Sequence, residues 1–138
     1  MTAYDNDNVF AKIMRGELPG QKVYEDDKTL VIMDIMPRSP GHCLVIPKAP
    51  SRNLYDIAAD DLAAVSATVQ RMVKAVTKAF GADGVTIQQF NEAAAGQEVF
   101  HTHVHILPRH DGVKLNPPGN MGDMDEIAAN ADKIRSAV

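Results

Sequence analysis

His101, His103 and His105 are the residues whose type and spacing can do chemistry. They lie in the run His101-Thr102-His103-Val104-His105-Ile106-Leu107-Pro108-Arg109, so three of the chain's five histidines fall within five residues. The alternation reads as a strand, with the three histidines on one face and Thr102, Val104 and Ile106 on the other. At a rise of about 3.3 Å per residue, neighbouring rings stand roughly 6.6 Å apart and the three track about 13 Å, the reach of a phosphodiester with its two substituents. An imidazole is largely unprotonated near neutral pH and can attack phosphorus. His103, at the centre, is the natural nucleophile, with His101 and His105 donating to the phosphate oxygens on either side. A zinc centre is the competing chemistry, but it needs three ligands converging on one ion, which the outer rings of an extended strand cannot easily supply. A nucleotide-binding module without catalysis would keep the pocket and leave the central histidine without a task.

Immediately upstream, Asn91-Glu92-Ala93-Ala94-Ala95-Gly96-Gln97-Glu98-Val99-Phe100 is a loop rich in small residues. Small side chains let a ligand approach the backbone, and Gly96 can adopt angles closed to other residues, so N–H groups exposed here suit an anion. Taken with the histidines, Gly96-Gln97-x-Val99-x-His101-x-His103-x-His105 resembles the signature of the histidine triad family of nucleotide hydrolases and transferases. The resemblance continues at Phe10-Ala11-Lys12-Ile13-Met14-Arg15-Gly16-Glu17-Leu18-Pro19 and at Val23-Tyr24-Glu25-Asp26-Asp27. It returns at Asp34-Ile35-x-Pro37-x-Ser39-Pro40-Gly41-His42-x-Leu44-Val45-Ile46-Pro47-Lys48. Pro108-Arg109 resembles the general bacterial and dinucleotide-hydrolase branches.

The resemblance implies a covalent nucleotidyl-histidine at His103, a phosphate cradle completed by Gln97 and the Gly96 backbone, and His42 as a fourth histidine supporting the triad from a neighbouring strand. Asp34 stands where the family binds ribose, since a carboxylate can accept from both vicinal hydroxyls. Phe10 and Ile13 wall a base pocket, with Ile35, Asn91, Glu98 and Val99 as further substrate contacts. Adenine is the family's usual base, and the leaving group stays open among an amine, a sugar phosphate, a second nucleotide and an acyl group. No cofactor and no metal are implied, and the usual assembly is a two-fold dimer.

Three places depart from the pattern. Asn8 and Ala11 stand where some relatives carry two cysteines that hold a structural metal, so a zinc site of that kind is not expected. Glu98 stands where relatives carry Ser or Thr, whose hydroxyl donates toward the leaving group. An ionised carboxylate cannot donate, so the expectation is that Glu98 donates in its acid form, the alternative being that it turns to solvent. Pro47-Lys48-Ala49-Pro50 replaces the Pro-Lys-x-His of many relatives, at a place read as remote from the chemistry.

The elements that must position these residues can be read from periodicity and punctuation. A mobile polar leader through Asp7 precedes a helix over residues 8–15, closed by Gly16. Strands come next at 22–25, 29–33 and 42–47, the first two joined as a hairpin, with Met36 to Gly41 as a Pro- and Gly-punctuated loop. Asp60 or Asp61 caps a long helix to Phe80, striped by Leu62, Val65, Val69, Met72, Val73, Val76 and Phe80. A strand at 85–90, the histidine strand at 101–109 and a final helix at 123–137 complete the chain. The expected fold is α+β: a mostly antiparallel five-stranded sheet with one long helix and short terminal helices, in a single domain of 138 residues with a loosely matching tail from about 111. That length and a hydrophobic content of 45% suit one buried core. A net charge of −4 gives no general nucleic-acid or membrane surface. With no signal-like N-terminus or apolar span, the expected compartment is the cytoplasm. Cys43 sits within a strand pattern as a small buried residue.

Overall fold

The computed structural model describes residues 3–138. Met1 and Thr2, at the start of the expected leader, lie outside them. Nine elements run in the order α1 (Val9–Met14), β1 (Lys22–Glu25), β2 (Thr29–Met33), β3 (Cys43–Pro47), α2 (Ala59–Phe80), β4 (Gly84–Gln88), a short 3-10 turn (Ala93–Ala95), β5 (Val104–Arg109) and α3 (Met124–Arg135). The strands form one sheet in the order β1-β2-β3-β5-β4, every pair antiparallel. The α+β architecture is therefore as expected. No described helix is long and apolar enough to cross a membrane.

The two faces of the sheet divide the molecule. Val31, Met33, Cys43, Val45, Val104 and Ile106 point toward α2 and α3 and form the larger core with Val65, Met72, Val76, Ile127 and Ile134. Leu30, Ile32, Leu44 and Ile46 point the other way, where the short α1 brings Phe10, Ile13 and Met14 against them, with Val99 alongside. Burial on both faces explains why β2 and β3 are continuous apolar runs rather than alternating ones. His105 pairs with Leu44, so its side chain lies on the thinly covered α1 face. The sheet thus has one face under two helices and the other only partly covered.

Several boundaries differ from the sequence reading. The histidine strand starts at Val104, because β3 ends at Pro47, which has no N–H, and the Pro47 carbonyl accepts instead from the His101 ring. Thr102 N–H goes to the Ser51 carbonyl. The segment from Pro47 to Ser51 therefore clamps the start of the triad and is not remote from it. The cap of α2 is Ala58, without a side-chain hydrogen bond, while Asp60 and Asp61 sit in the first turn, both within reach of Lys28 Nζ. The leader is docked rather than free at Tyr4, whose hydroxyl meets His101. Asn8 caps α1 by accepting from the Ala11 N–H at 2.9 Å, the task its side chain performs where a thiol would stand in some relatives.

Gly41 fixes how the loop between β2 and β3 meets α2. Its φ is +90°, and a Cβ there would lie 2.4 Å from the Phe80 ring. Only glycine fits both constraints. The loop it closes carries Asp34 and Arg38 to the triad.

Candidate active site

Hydrogen bonds decide which nitrogen of each histidine carries a proton. His103 Nδ1 lies 2.7 Å from the His101 carbonyl, which only accepts, so Nδ1 holds the hydrogen and Nε2 is left as a bare lone pair. His105 is set the opposite way. The Arg38 N–H donates to His42 Nδ1 at 3.1 Å, so His42 Nε2 carries that ring's proton and donates to His105 Nδ1 at 2.9 Å. His105 therefore presents Nε2–H. Among the described residues, neither the His103 nor the His105 Nε2 has a protein partner, and neither is fully sealed from solvent. The two rings stand 5.0 Å apart, closer than the extended-strand expectation because they lean together. A nucleophilic lone pair and a hydrogen-bond donor thus sit side by side.

The surroundings keep these rings neutral. Burial pushes the His103 and His105 imidazoles down to about 4, and burial does the same to His101. The opposing influences, the His101 carbonyl on His103 and the Asp34 carboxylate on His105, are weaker than the loss of solvent. His42 is lowered as well, by burial first, with Asp34 acting against it. Phe10, itself buried, meets the His103 ring edge-on at 4.8 Å and supplies part of that apolar wall.

Asp34 acts as a turn residue and also reaches the histidines. Its Oδ1 accepts from the Met36 N–H at 2.8 Å, as a turn residue does, and its Oδ2 lies 3.4 Å from His42 Nε2 and 3.9 Å from His105 Nδ1. Asp34, His42 and His105 offer three atoms within 4.8 Å of one another, a spacing that would suit an ion. The Arg38 N–H already occupies His42 Nδ1, however, so His42 Nε2 bears a proton and cannot be a ligand without breaking that bond. The hydrogen bonds fit a proton chain better than a metal.

Other expected contacts are placed differently. His101 is fully buried, with Nε2 on the Pro47 carbonyl at 2.7 Å and Nδ1 on Tyr4, so it has no free nitrogen to donate to a phosphate. It acts on His103 through its carbonyl instead. The Gln97 amide is also spent: Oε1 accepts from Asn53 and the Glu92 N–H, and Nε2 donates to the carbonyls of Arg52 and Val99. The Gly96 N–H closes on the Ala93 carbonyl, with φ at +100°. Among the described residues, the N–H groups of Glu98, Val99 and Phe100 have no such partner, and they come directly after this braced turn. Asn91 holds Leu54 N–H and Gln89, and Glu98 is exposed, the solvent-facing alternative. Ile13 and Val99 pack on the α1-side core, and Ile35 is 49% exposed beside Asp34.

The loop brace has no counterpart in the sequence reading. Arg52 Nε and Nη2 grip both oxygens of Glu92 at 2.7 and 3.0 Å, and Arg52 also stacks 4.1 Å over the Phe100 ring. Glu92 holds φ at +77°, unusual for a residue with a side chain, and the buried Asn53 binds it too. No motif marks Arg52 and Asn53; a polar Arg-Asn pair shortly after a proline is the only trace.

Comparison with known proteins gives this geometry its lineage. The HIT-domain family model matches residues 15–112. An adenylylsulfatase of Arabidopsis thaliana is 47% identical over 104 residues, 75% of this chain, and that match spans 53% of the plant protein, about half its length. An adenosine 5'-monophosphoramidase of Schizosaccharomyces pombe is 33% identical over 133 residues, 94% of this chain and 97% of the yeast protein. The crystal structure of a Hit-like protein from Bartonella henselae superposes with a TM-score of 0.95 at 52% identity, covering 99% of this chain and all of the other. With its histidines, its sheet and its relatives in agreement, the chain belongs to the HIT family.

Proposed function

We propose that this protein cleaves purine nucleotides at the α-phosphate through a covalent nucleotidyl-histidine intermediate. The observation that carries the reading is the opposed protonation of adjacent rings: a lone pair on His103 Nε2 beside a proton on His105 Nε2, neither fully sealed from solvent. In the first step His103 Nε2 attacks the α-phosphorus, forming an N–P bond as the bond to the leaving group breaks. The imidazole becomes cationic, and its Nδ1–H, held on the His101 carbonyl, spreads that charge onto a fixed dipole. His105 Nε2–H donates to a phosphate oxygen, and the unpartnered N–H groups from Glu98 to Phe100 complete the anion site. Water or an acceptor then attacks the phosphorus and gives its proton to solvent, the N–P bond breaks with its electron pair returning to Nε2, and His103 regains its starting form.

Asp34 accepts from the ribose hydroxyls, and Phe10, Ile13, Ile35 and Val99 receive the base. The activities of the plant and yeast relatives point to nucleotides with a sulfate or amine on the α-phosphate as the first substrates to test. Glu98 offers no hydroxyl to the leaving group, so a departing amine takes its proton from solvent, whereas a departing sulfate needs none. The same reading makes the working form a homodimer, because Leu62, Val69 and Val73 on α2 stay incompletely covered and Ile87 on the edge strand β4 is 43% exposed.

His103→Ala in the folded protein is expected to lower turnover of an adenosine phosphoramidate at least about a thousandfold. Mass spectrometry of a quenched reaction should locate the nucleotidyl adduct on His103. Binding of nucleotide without turnover would make the protein a binding module, and an adduct elsewhere would remove the nucleophile assignment.

A further inference from the structure

The segment ahead of α1 is tied to the triad through one side chain. Tyr4 Oη hydrogen-bonds His101 Nδ1, and the two rings meet edge to face with centroids 5.6 Å apart. Asn8 Nδ2 donates to the same Oη at 2.8 Å while its Oδ1 caps α1, so the tyrosine hydroxyl is held from the helix that also supplies Phe10. The direction of each bond is fixed. His101 Nε2 faces a carbonyl and must donate, which leaves Nδ1 as the acceptor and Tyr4 as the donor. The hydroxyl has one proton, which goes to His101, and its oxygen accepts from Asn8.

His101 in turn carries the carbonyl that holds His103 Nδ1–H at 2.7 Å. Asn8, Tyr4, His101 and His103 therefore form a single series running from the cap of α1 to the attacking ring. We propose that Tyr4 is a positioning residue for this reaction: a hydroxyl clamp that fixes the His101 ring, and with it the carbonyl that sets the His103 proton. The inference rests on the reading of His103 as nucleophile. Without Oη the fully buried His101 keeps an unpaired Nδ1 and only one of its two ring anchors. The ring keeps its Nε2–H on the Pro47 carbonyl but can swing about that single anchor, and the carbonyl behind it loses its fixed place.

The test is Tyr4→Phe in the full chain, which keeps the aromatic edge contact and removes only the hydroxyl. On an adenosine phosphoramidate, kcat is expected to fall about tenfold, the effect of one neutral hydrogen bond, with KM and AMP affinity within about twofold of wild type. Nitrogen-15 spectra of the free protein should keep the Nε2–H tautomer of His101, held by the Pro47 carbonyl, while its Nδ1 resonance moves as the hydrogen bond from Tyr4 is lost. Asn8→Ser, which keeps a capping oxygen but loses the donor to Tyr4, should shift kcat in the same direction by less. An unchanged kcat or an unchanged His101 spectrum overturns the clamp. Parallel loss of kcat and AMP affinity also overturns it, making Tyr4 a packing residue. Failure of the nucleophile reading looks different: His103→Ala would then turn over like wild type, whereas the imidazole spectra report the Tyr4 bond with no substrate present.

Discussion

His105 owes its donor to a main-chain amide that it never touches. The order runs Arg38 N–H, His42, His105, and His42 is the only side chain in it that can pass the setting along. His42→Phe keeps a flat ring of similar size but supplies no Nε2–H, so His105 can hold its proton on Nδ1 and turn a bare nitrogen to the phosphate. Turnover should drop about a hundredfold with little change in KM, since a mis-set tautomer impairs the transition state more than binding. An effect confined to KM would place His42 in substrate binding instead. Burial holds His103 near 4, below the ordinary imidazole value near 6.5. The attacking form is therefore fully present above about pH 6 and is lost only as pH falls through the lower value. The acid limb of kcat/KM is expected closer to 4 than to 6.5, and a limb at the ordinary histidine value would contradict the buried site. His103 and His105 are legible from type and spacing, and His42 and Asp34 only through the family resemblance. The tasks of His101 and Gln97 are not, because they depend on Pro47, Arg52 and Asn53, residues 44 or more positions away in the chain.

Strands and helices are legible from periodicity to within a residue or two, except where a partner intervenes. Pairing with β3 decides where β5 begins, and Pro47 ends that pairing, so the histidine alternation continues past the true end of the ladder. The cap of α2 departs from expectation for a similar reason: two aspartates invite the role, but Lys28 draws both into the first turn. Gly41 shows one element leaning on another. Gly41→Ala would meet both the left-handed backbone and the Phe80 ring at the end of α2, and should cost about 2–4 kcal/mol in chemical denaturation. Activity per folded molecule should fall too, because the same loop carries Arg38 and Asp34. A stability loss under about 0.5 kcal/mol would mean that Phe80 swings aside freely.

The whole molecule is asymmetric in how it uses its surfaces. One face of the sheet lies under two helices, and the other lies under a six-residue helix and the triad. Leu62, Val69 and Val73 of α2 are incompletely covered, and Ile87 is exposed on β4, an edge strand of the sheet, so a second copy would find apolar surface and a strand edge to pair with. Sedimentation at low micromolar concentration is expected to show a dimer, and Ile87→Lys, on the exposed edge and outside the site, should shift it toward monomer. A wild-type monomer at that concentration would refute the assembly.

The two protons that define this site are assigned by main-chain atoms, the Arg38 N–H and the His101 carbonyl, and main-chain atoms do not mutate. Position 38 makes the consequence for inheritance concrete. Its guanidinium reaches the Asn116 carbonyl, a tail contact that other side chains can forgo, yet every residue except proline supplies the N–H that His42 reads. Selection can therefore let the residue drift while the chemistry stays in place, and a family can diversify its loops around an invariant arrangement of hydrogens. A descendant must preserve, at such a position, only the path of the chain.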